Sequence, residues 1–113
     1  MTAKRIILEM GTGNDLHGGD YTKAAVRAVE DALHHSSLTL IRTLGLDKQS
    51  LRIDVTIGVQ QPERIDTAAV QAVLPFGKIT VKAVKGGLNV PDDGGNDVAV
   101  IATAGVEVWL ERP

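Results

Sequence analysis

A strict alternation of apolar and polar side chains runs from Leu51 to Val59, and it constrains the fold more than any other feature of the sequence. A period of two is typical of a β-strand that buries one face and exposes the other. Shorter apolar or alternating runs predict further strands over residues 4–10, 78–84, 97–103 and 106–110. The last two are predicted as separate strands or as one strand bent at Ala104-Gly105.

Helices are predicted between these strands. Asp20 is a favourable N-cap for a helix that continues to about residue 35. A short second helix is predicted over 38–44, and Asp66 can cap a third. The resulting order is β-α-α-β-α-β-β in a single domain, residues 1–113. The fold class is therefore predicted as α+β, a two-layer arrangement in which helices back a four-stranded mixed sheet.

The sheet face opposite the helices is not predicted to be fully polar. Three apolar residues of the first strand share one side: Ile6, Leu8 and Met10. Ile7 lies on the other side and is expected, with Ala99 and Ile101, on the face away from the helices. An open sheet face of this kind often packs against a neighbouring subunit.

Composition and charge exclude several classes of protein. The net charge of -2 and the pI of about 5.8 leave no general basic surface for coating nucleic acid. The absence of cysteine excludes disulfides, thiol catalysis and cysteine metal sites. No apolar run approaches the roughly 18 residues needed to span a bilayer. Together with an N-terminus that does not resemble a secretory signal, these features predict a cytoplasmic protein that binds neither nucleic acid nor membrane.

Glycine is concentrated in two segments, 11–19 and 86–95, which each hold four of the twelve glycines. The first segment joins a predicted strand to a predicted helix and carries Asp15 and His17. Its backbone N–H groups could bind phosphate at the helix start. Alternatively, Asp15 and His17 bind a divalent metal ion, with Asp20 as a third ligand or only as the helix cap. The third interpretation is an ordinary polar turn.

The motif GxGxDxHG, which begins at Gly11, resembles the signature of a small uncharacterised family found in bacteria and plants. The opening of this motif also resembles that of methylerythritol cyclodiphosphate synthase, in which the aspartate and the histidine bind zinc. Other segments that resemble the synthase are residues 52–57, 61–62 and 79–83. This resemblance implies the fold of that enzyme, a homotrimer with sites between subunits, and zinc at Asp15 and His17.

Two departures from the synthase argue against its activity here. Residues 84–87 replace a Thr-Thr-x-Glu segment that holds nucleotide phosphates, and they supply neither a hydroxyl nor an acid. The insertion that carries the third zinc ligand is missing, because His17 leads almost directly to the helix start at Asp20. A divalent metal, with Zn²⁺ as the candidate, is still expected at Asp15 and His17, with its other ligands unknown.

The predicted function is that of a small trimeric, metal-dependent enzyme that acts on a small polar or anionic substrate between subunits. The alternative is a non-catalytic trimeric module that binds a small ligand or a partner. No catalytic residue is assigned. The two glycine-rich segments are expected to meet across a subunit boundary. The predicted ligand-binding residues are Gly11, Gly13, Gly18, Gly19, Asp20, Lys85 and Asn89.

Overall fold

The computed structural model describes residues 2–34 and 39–112. Within them, one sheet contains five strands: β1 (Thr2–Asp15), β2 (Leu51–Val59), β3 (Lys78–Lys85), β4 (Leu88–Pro91) and β5 (Val98–Arg112). The α-helices of the same residues are α1 (Tyr21–Leu33), α2 (Thr39–Thr43) and α3 (Thr67–Gln71). Short 3-10 turns lie at Lys48–Ser50 and Pro62–Arg64. Each described helix is too short or too polar to cross a membrane.

The long strand β5 forms the centre of the sheet. One of its edges pairs with β1 in antiparallel register over nearly its whole length. The other edge pairs antiparallel with β4 over residues 98–101 and then with β2 over residues 103–110. β3 lies beyond β2 and runs parallel to it. The α+β class with a mixed sheet is therefore confirmed, but the sheet has five strands and not the predicted four.

The core lies between one face of the sheet and the helices. α1 packs on β1 and β5 through a strip of small buried side chains: Ala24, Ala25, Ala28, Val29 and Ala32. Every second residue of β2 and β5 is buried beneath the helices, as the alternation predicts. The opposite side, here called the outer face, carries the intervening residues of β5 and their neighbours on adjacent strands. These β5 residues are Ala99, Ile101, Thr103, Gly105, Glu107 and Trp109.

β1 is longer than predicted, and its faces are reversed from Ile7 onward, after a register shift between Arg5 and Ile7; Ile6 is partly buried against the core. The strand continues past Met10 to Asp15, so most of the first glycine-rich segment is strand and not loop. The prediction that Ile7 faces away from the helices is wrong, because Ile7 is buried in the core. Leu8 and Met10 instead lie on the outer face, 46% and 68% exposed. Ala99 and Ile101 are on the outer face, as predicted.

Gly11 and Gly13 explain which face of β1 points toward the helices. A Cβ atom on Gly11 would lie 2.3 Å from the carbonyl oxygen of Ala28, and one on Gly13 would lie 2.3 Å from the nitrogen of the same residue. The face of β1 that packs against α1 must therefore carry glycine at these two positions. Ile7, which shares the phase of the glycines, is carried into the core with them.

The remaining elements match the sequence closely. β2 has the predicted bounds, and the Asp20 and Asp66 side chains cap α1 and α3 by accepting hydrogen bonds from backbone N–H groups. β5 is one continuous strand, with no break in pairing at Gly105. Part of the predicted helix over 38–44 is present as α2, whereas residues 35–38 lie outside the described residues. The four-residue strand β4 was not predicted, because it interrupts the second glycine-rich segment only briefly.

Candidate functional site

Asp15, the last residue of β1, is a buried carboxylate beside the start of α1. Its side chain is 5% exposed. Its Oδ2 atom accepts a hydrogen bond of 2.8 Å from the backbone N–H of Asp20. Its Oδ1 atom lies 4.0 Å from Nζ of Lys23 and 3.9 Å from Nη1 of Arg27. Asp15 therefore ties the end of the strand to the first turns of the helix, and two cations of that helix compensate its buried charge.

A turn of residues 16–19 connects β1 to α1. Gly18 and Gly19 have φ angles of 92° and 63°, in the left-handed region that favours glycine. The side chain of Asp20 accepts a hydrogen bond of 3.0 Å from the N–H of Lys23 and so caps the helix. Gly18, Gly19 and the Asp20 cap are thus explained by the backbone conformation that joins β1 to α1.

Asp97, immediately before β5, holds this turn from the other side. Its Oδ1 atom accepts hydrogen bonds from the N–H of Gly18 at 3.0 Å and from the N–H of Val98 at 2.8 Å. Nδ1 of His17 lies 3.3 Å from Oδ2, and since an ionised carboxylate can only accept, Nδ1 is the ring nitrogen that carries the proton. The two backbone N–H groups and the contact with His17 hold the pKa of Asp97 below its usual value. The His17 side chain is 88% exposed, which leaves Nε2 open to solvent.

Beside the turn lies an open cleft of about 580 Å³. Its lining residues come from the turn, from the 3-10 turn at Pro62–Arg64 and from the connection between β4 and β5: Gly18, Gly19, Arg64, Pro91, Gly95, Asn96, Asp97 and Val98. The guanidinium of Arg64 stacks on the ring of Tyr21, 4.8 Å from its centroid. The volume is within the range of about 300–1,000 Å³ that is usual for small-molecule sites.

The family model described as a conserved hypothetical protein, Lin0512_fam, matches residues 5–108. The chain belongs to this family. It is also similar to a crystal structure from Nostoc punctiforme, described as an FtsZ-like protein of unknown function. The two share 38% sequence identity, the match covers 99% of each chain, and the TM-score is 0.86. A comparison with curated proteins gives no match.

In this member of Lin0512_fam, the predicted metal ligands do not meet. Asp15 is turned into the joint between β1 and α1, whereas His17 contacts Asp97. No group of three histidine, aspartate, glutamate or cysteine side chains that could hold a metal occurs among the described residues. His17 and Asp97 supply two donors at one place, which is fewer than the three protein ligands of a catalytic zinc site. Within one chain, the described side chains therefore do not complete a three-ligand zinc site, and zinc at Asp15 and His17 stays a prediction.

The predicted ligand-binding residues are divided between the cleft and purely structural positions. Gly18 and Gly19 line the cleft, whereas Gly11 and Gly13 are covered by α1 and have no free space beside them. The side chain of Asn89 donates a hydrogen bond to the hydroxyl of Tyr21 in the same chain. Lys85 is exposed at the end of β3 and is not among the lining residues.

The two glycine-rich segments meet within one chain. Gly18 and His17 of the first segment contact Asp97, directly after the second segment, and Gly95 lines the same cleft as Gly19. The two segments thus contribute to one cleft within a single chain, and their meeting across a subunit boundary stays a prediction.

Sequence reasoning missed Arg64, Tyr21 and Asp97 as parts of the site. The contact of Asp97 with His17 joins residues that are 80 positions apart. Arg64 stands in a 3-10 turn with no motif around it. A signal was present for Asp97, because an aspartate directly before a strand that follows a glycine-rich turn is well placed to bond backbone N–H groups.

Proposed function

We propose that the protein binds a small ligand bearing an oxyanion, a carboxylate or a phosphate ester, in the cleft beside the 16–19 turn. The observation that carries the proposal is the position of Arg64. Arg64 lines the cleft, and no hydrogen bond or ion pair within the described residues engages its side chain. A guanidinium offers a planar fork of N–H donors that matches the oxygens of carboxylates and phosphates.

Asp97 does not oppose an anion as strongly as its charge suggests. Its Oδ1 atom already accepts two backbone N–H groups, and its Oδ2 atom faces the N–H of His17. The carboxylate is thus engaged in holding the turn. Arg64, stacked on Tyr21, is partly ordered before any ligand arrives, which reduces the entropy lost on binding.

His17 adds a reactive group at the rim of the cleft. Because Asp97 accepts from Nδ1, a neutral imidazole at this position has its lone pair on Nε2, which is open to solvent. An imidazole fixed in this way can accept a proton from a bound ligand or from water. This arrangement supports the enzyme of the sequence-based prediction, with His17 as the candidate base. The alternative is a module that uses the same cleft for binding alone.

A ligand screen on the purified protein tests the proposal. Phosphate esters, inorganic phosphate and di- and tricarboxylates are titrated into ¹⁵N-labelled protein. We expect the amides of Gly18, Gly19 and Asn96 to shift with at least one probe, and Arg64→Gln to abolish the shift. Arg42→Gln, which removes an exposed arginine of α2, is the matched control and should bind normally. Absence of any shift, or unchanged binding by Arg64→Gln, contradicts the proposal.

Three parts of the sequence-based function stay predictions: a divalent ion at Asp15 and His17, a homotrimer, and a cytoplasmic location. In this structure Asp15 accepts a hydrogen bond from the N–H of Asp20, and His17 contacts Asp97. The trimer rests on the resemblance to the synthase.

A further inference from the structure

Gly105 is the middle residue of β5, and nothing within the described chain requires it to be glycine. Its φ is not positive, its pairing with both neighbouring strands is regular, and a Cβ atom built on it meets no atom within 4 Å. Glycine weakens the interior of a strand, so an unexplained glycine there marks close approach by another backbone or a ligand. Gly58, also on the outer face, has an internal reason, since its Cβ would lie 2.7 Å from Oγ1 of Thr103.

Exposed apolar side chains lie on the outer face around Gly105. Leu8 and Met10 of β1 flank it on one side, and Leu88 and Val90 of β4 continue the apolar surface along β5. These four residues are among the few large apolar side chains that the described chain leaves exposed. Water contact with such a surface is unfavourable unless another molecule covers it.

We infer that a second copy of this chain covers the outer face, with the two β5 strands crossing at Gly105. The backbones of two packed sheets come closest where side chains are absent, and Gly105 provides that point at the middle of the central strand. A two-fold axis through this point brings the same surface of both copies together, which is how closed homodimers form. This inference concerns a different surface from the cleft and does not depend on the proposed ligand.

The area of the face is sufficient for a stable pair. At about 3.3 Å per residue and about 4.8 Å between strands, the five strands of the sheet together form a surface of roughly 800 Å². This is close to the roughly 800 Å² that each partner buries in a standard protein interface.

Light scattering after gel filtration at about 100 μM tests the inference. We expect the wild-type protein to have about twice the chain mass of 12.0 kDa. Gly105→Arg places a long side chain into space that the single chain leaves open, so it should reduce the mass to that of one chain while the circular dichroism spectrum is unchanged. Ala72→Arg is the matched control: it adds the same side chain at an exposed position after α3, and it should leave the mass at two chains.

A wild-type monomer at this concentration overturns the inference, as does a folded Gly105→Arg variant that keeps the mass of two chains. A mass of three chains also overturns the two-fold arrangement and supports the trimer expected from the sequence. If Gly105→Arg does not fold, Met10→Lys tests the same surface, because Met10 is exposed and its replacement leaves the core intact.

Discussion

Replacement of Gly13 by alanine should destabilise the protein, because this glycine allows α1 to lie directly on β1. The new Cβ atom would be 2.3 Å from the nitrogen of Ala28 and 2.4 Å from the carbonyl oxygen of Ala24, whereas carbon atoms pack at about 3.5–4.0 Å. The helix would have to withdraw by about 1 Å to restore normal contact distances. Overpacking of this kind costs about 1–3 kcal/mol or more, and the reduced freedom of the unfolded chain returns about 0.4–1 kcal/mol. Because the atoms in contact belong to the helix backbone, we expect the upper end of this cost, about 3 kcal/mol, and a net loss of about 2 kcal/mol out of a total of about 5–15 kcal/mol.

Urea unfolding followed by circular dichroism measures this loss. With an m-value of about 1–3 kcal/mol/M, the midpoint should fall by at least about 0.7 M. Thr12→Ala is the matched control: Thr12 lies between the two glycines of β1, is exposed, and donates to Asp31 only through its backbone N–H. The control should stay within about 0.5 kcal/mol of the wild type. A Gly13→Ala protein as stable as Thr12→Ala would refute the reasoning that helix packing requires this glycine.

Three further predictions concern the acidic residues and His17. The pKa of Asp97 is lowered in the folded protein, so its stabilising effect is present above its ordinary pKa of 3.8 and is lost as the pH falls through the folded value. Thermal unfolding of Asp97→Asn should therefore show a weaker loss of stability below about pH 4 than the wild type. Asp15→Ala leaves the N–H of Asp20 without its acceptor and should cost about 1–3 kcal/mol in urea unfolding, whereas Asp15→Asn, which keeps an acceptor oxygen, should cost less. If zinc binds, His17→Ala should abolish it in calorimetric titration without changing the unfolding midpoint, and a wild type that binds no zinc contradicts the metal prediction.

The sequence predicted the bounds of those strands in which apolar side chains alternate without interruption. β2 was found with its exact bounds because nine residues alternate without interruption. β1 was cut short because Gly11 and Gly13 contribute no apolar signal, although they form part of its buried face. The period of two was visible at Ile6 to Met10, but periodicity alone cannot say which phase faces the helix.

The site was predictable only where neighbouring residues form it. Asp20 was recognised as a helix cap because the cap and the N–H group it accepts from are three positions apart. The pairing of His17 with Asp97 depends on β5 folding back beside β1, and the position of Arg64 at the cleft depends on where β2 ends. Such long-range neighbours have no local signature. The pattern GxGxDxHG predicted a metal loop, and the structure adds a role that the pattern did not indicate: Gly11, Gly13 and Asp15 join a strand to a helix.

β4 gives the cleft a wall that can open independently of the rest of the protein. Val98 and Ala99 are paired through β4 alone, beyond the ends of both β1 and β2. A segment held by so few hydrogen bonds unfolds locally at a small fraction of the global free energy. Each such opening loosens the wall that carries Asp97, and with it the support of His17 and of the 16–19 turn. Hydrogen exchange at the β4 amides would therefore report how often this wall opens, while the amides of the alanine strip of α1 remain protected.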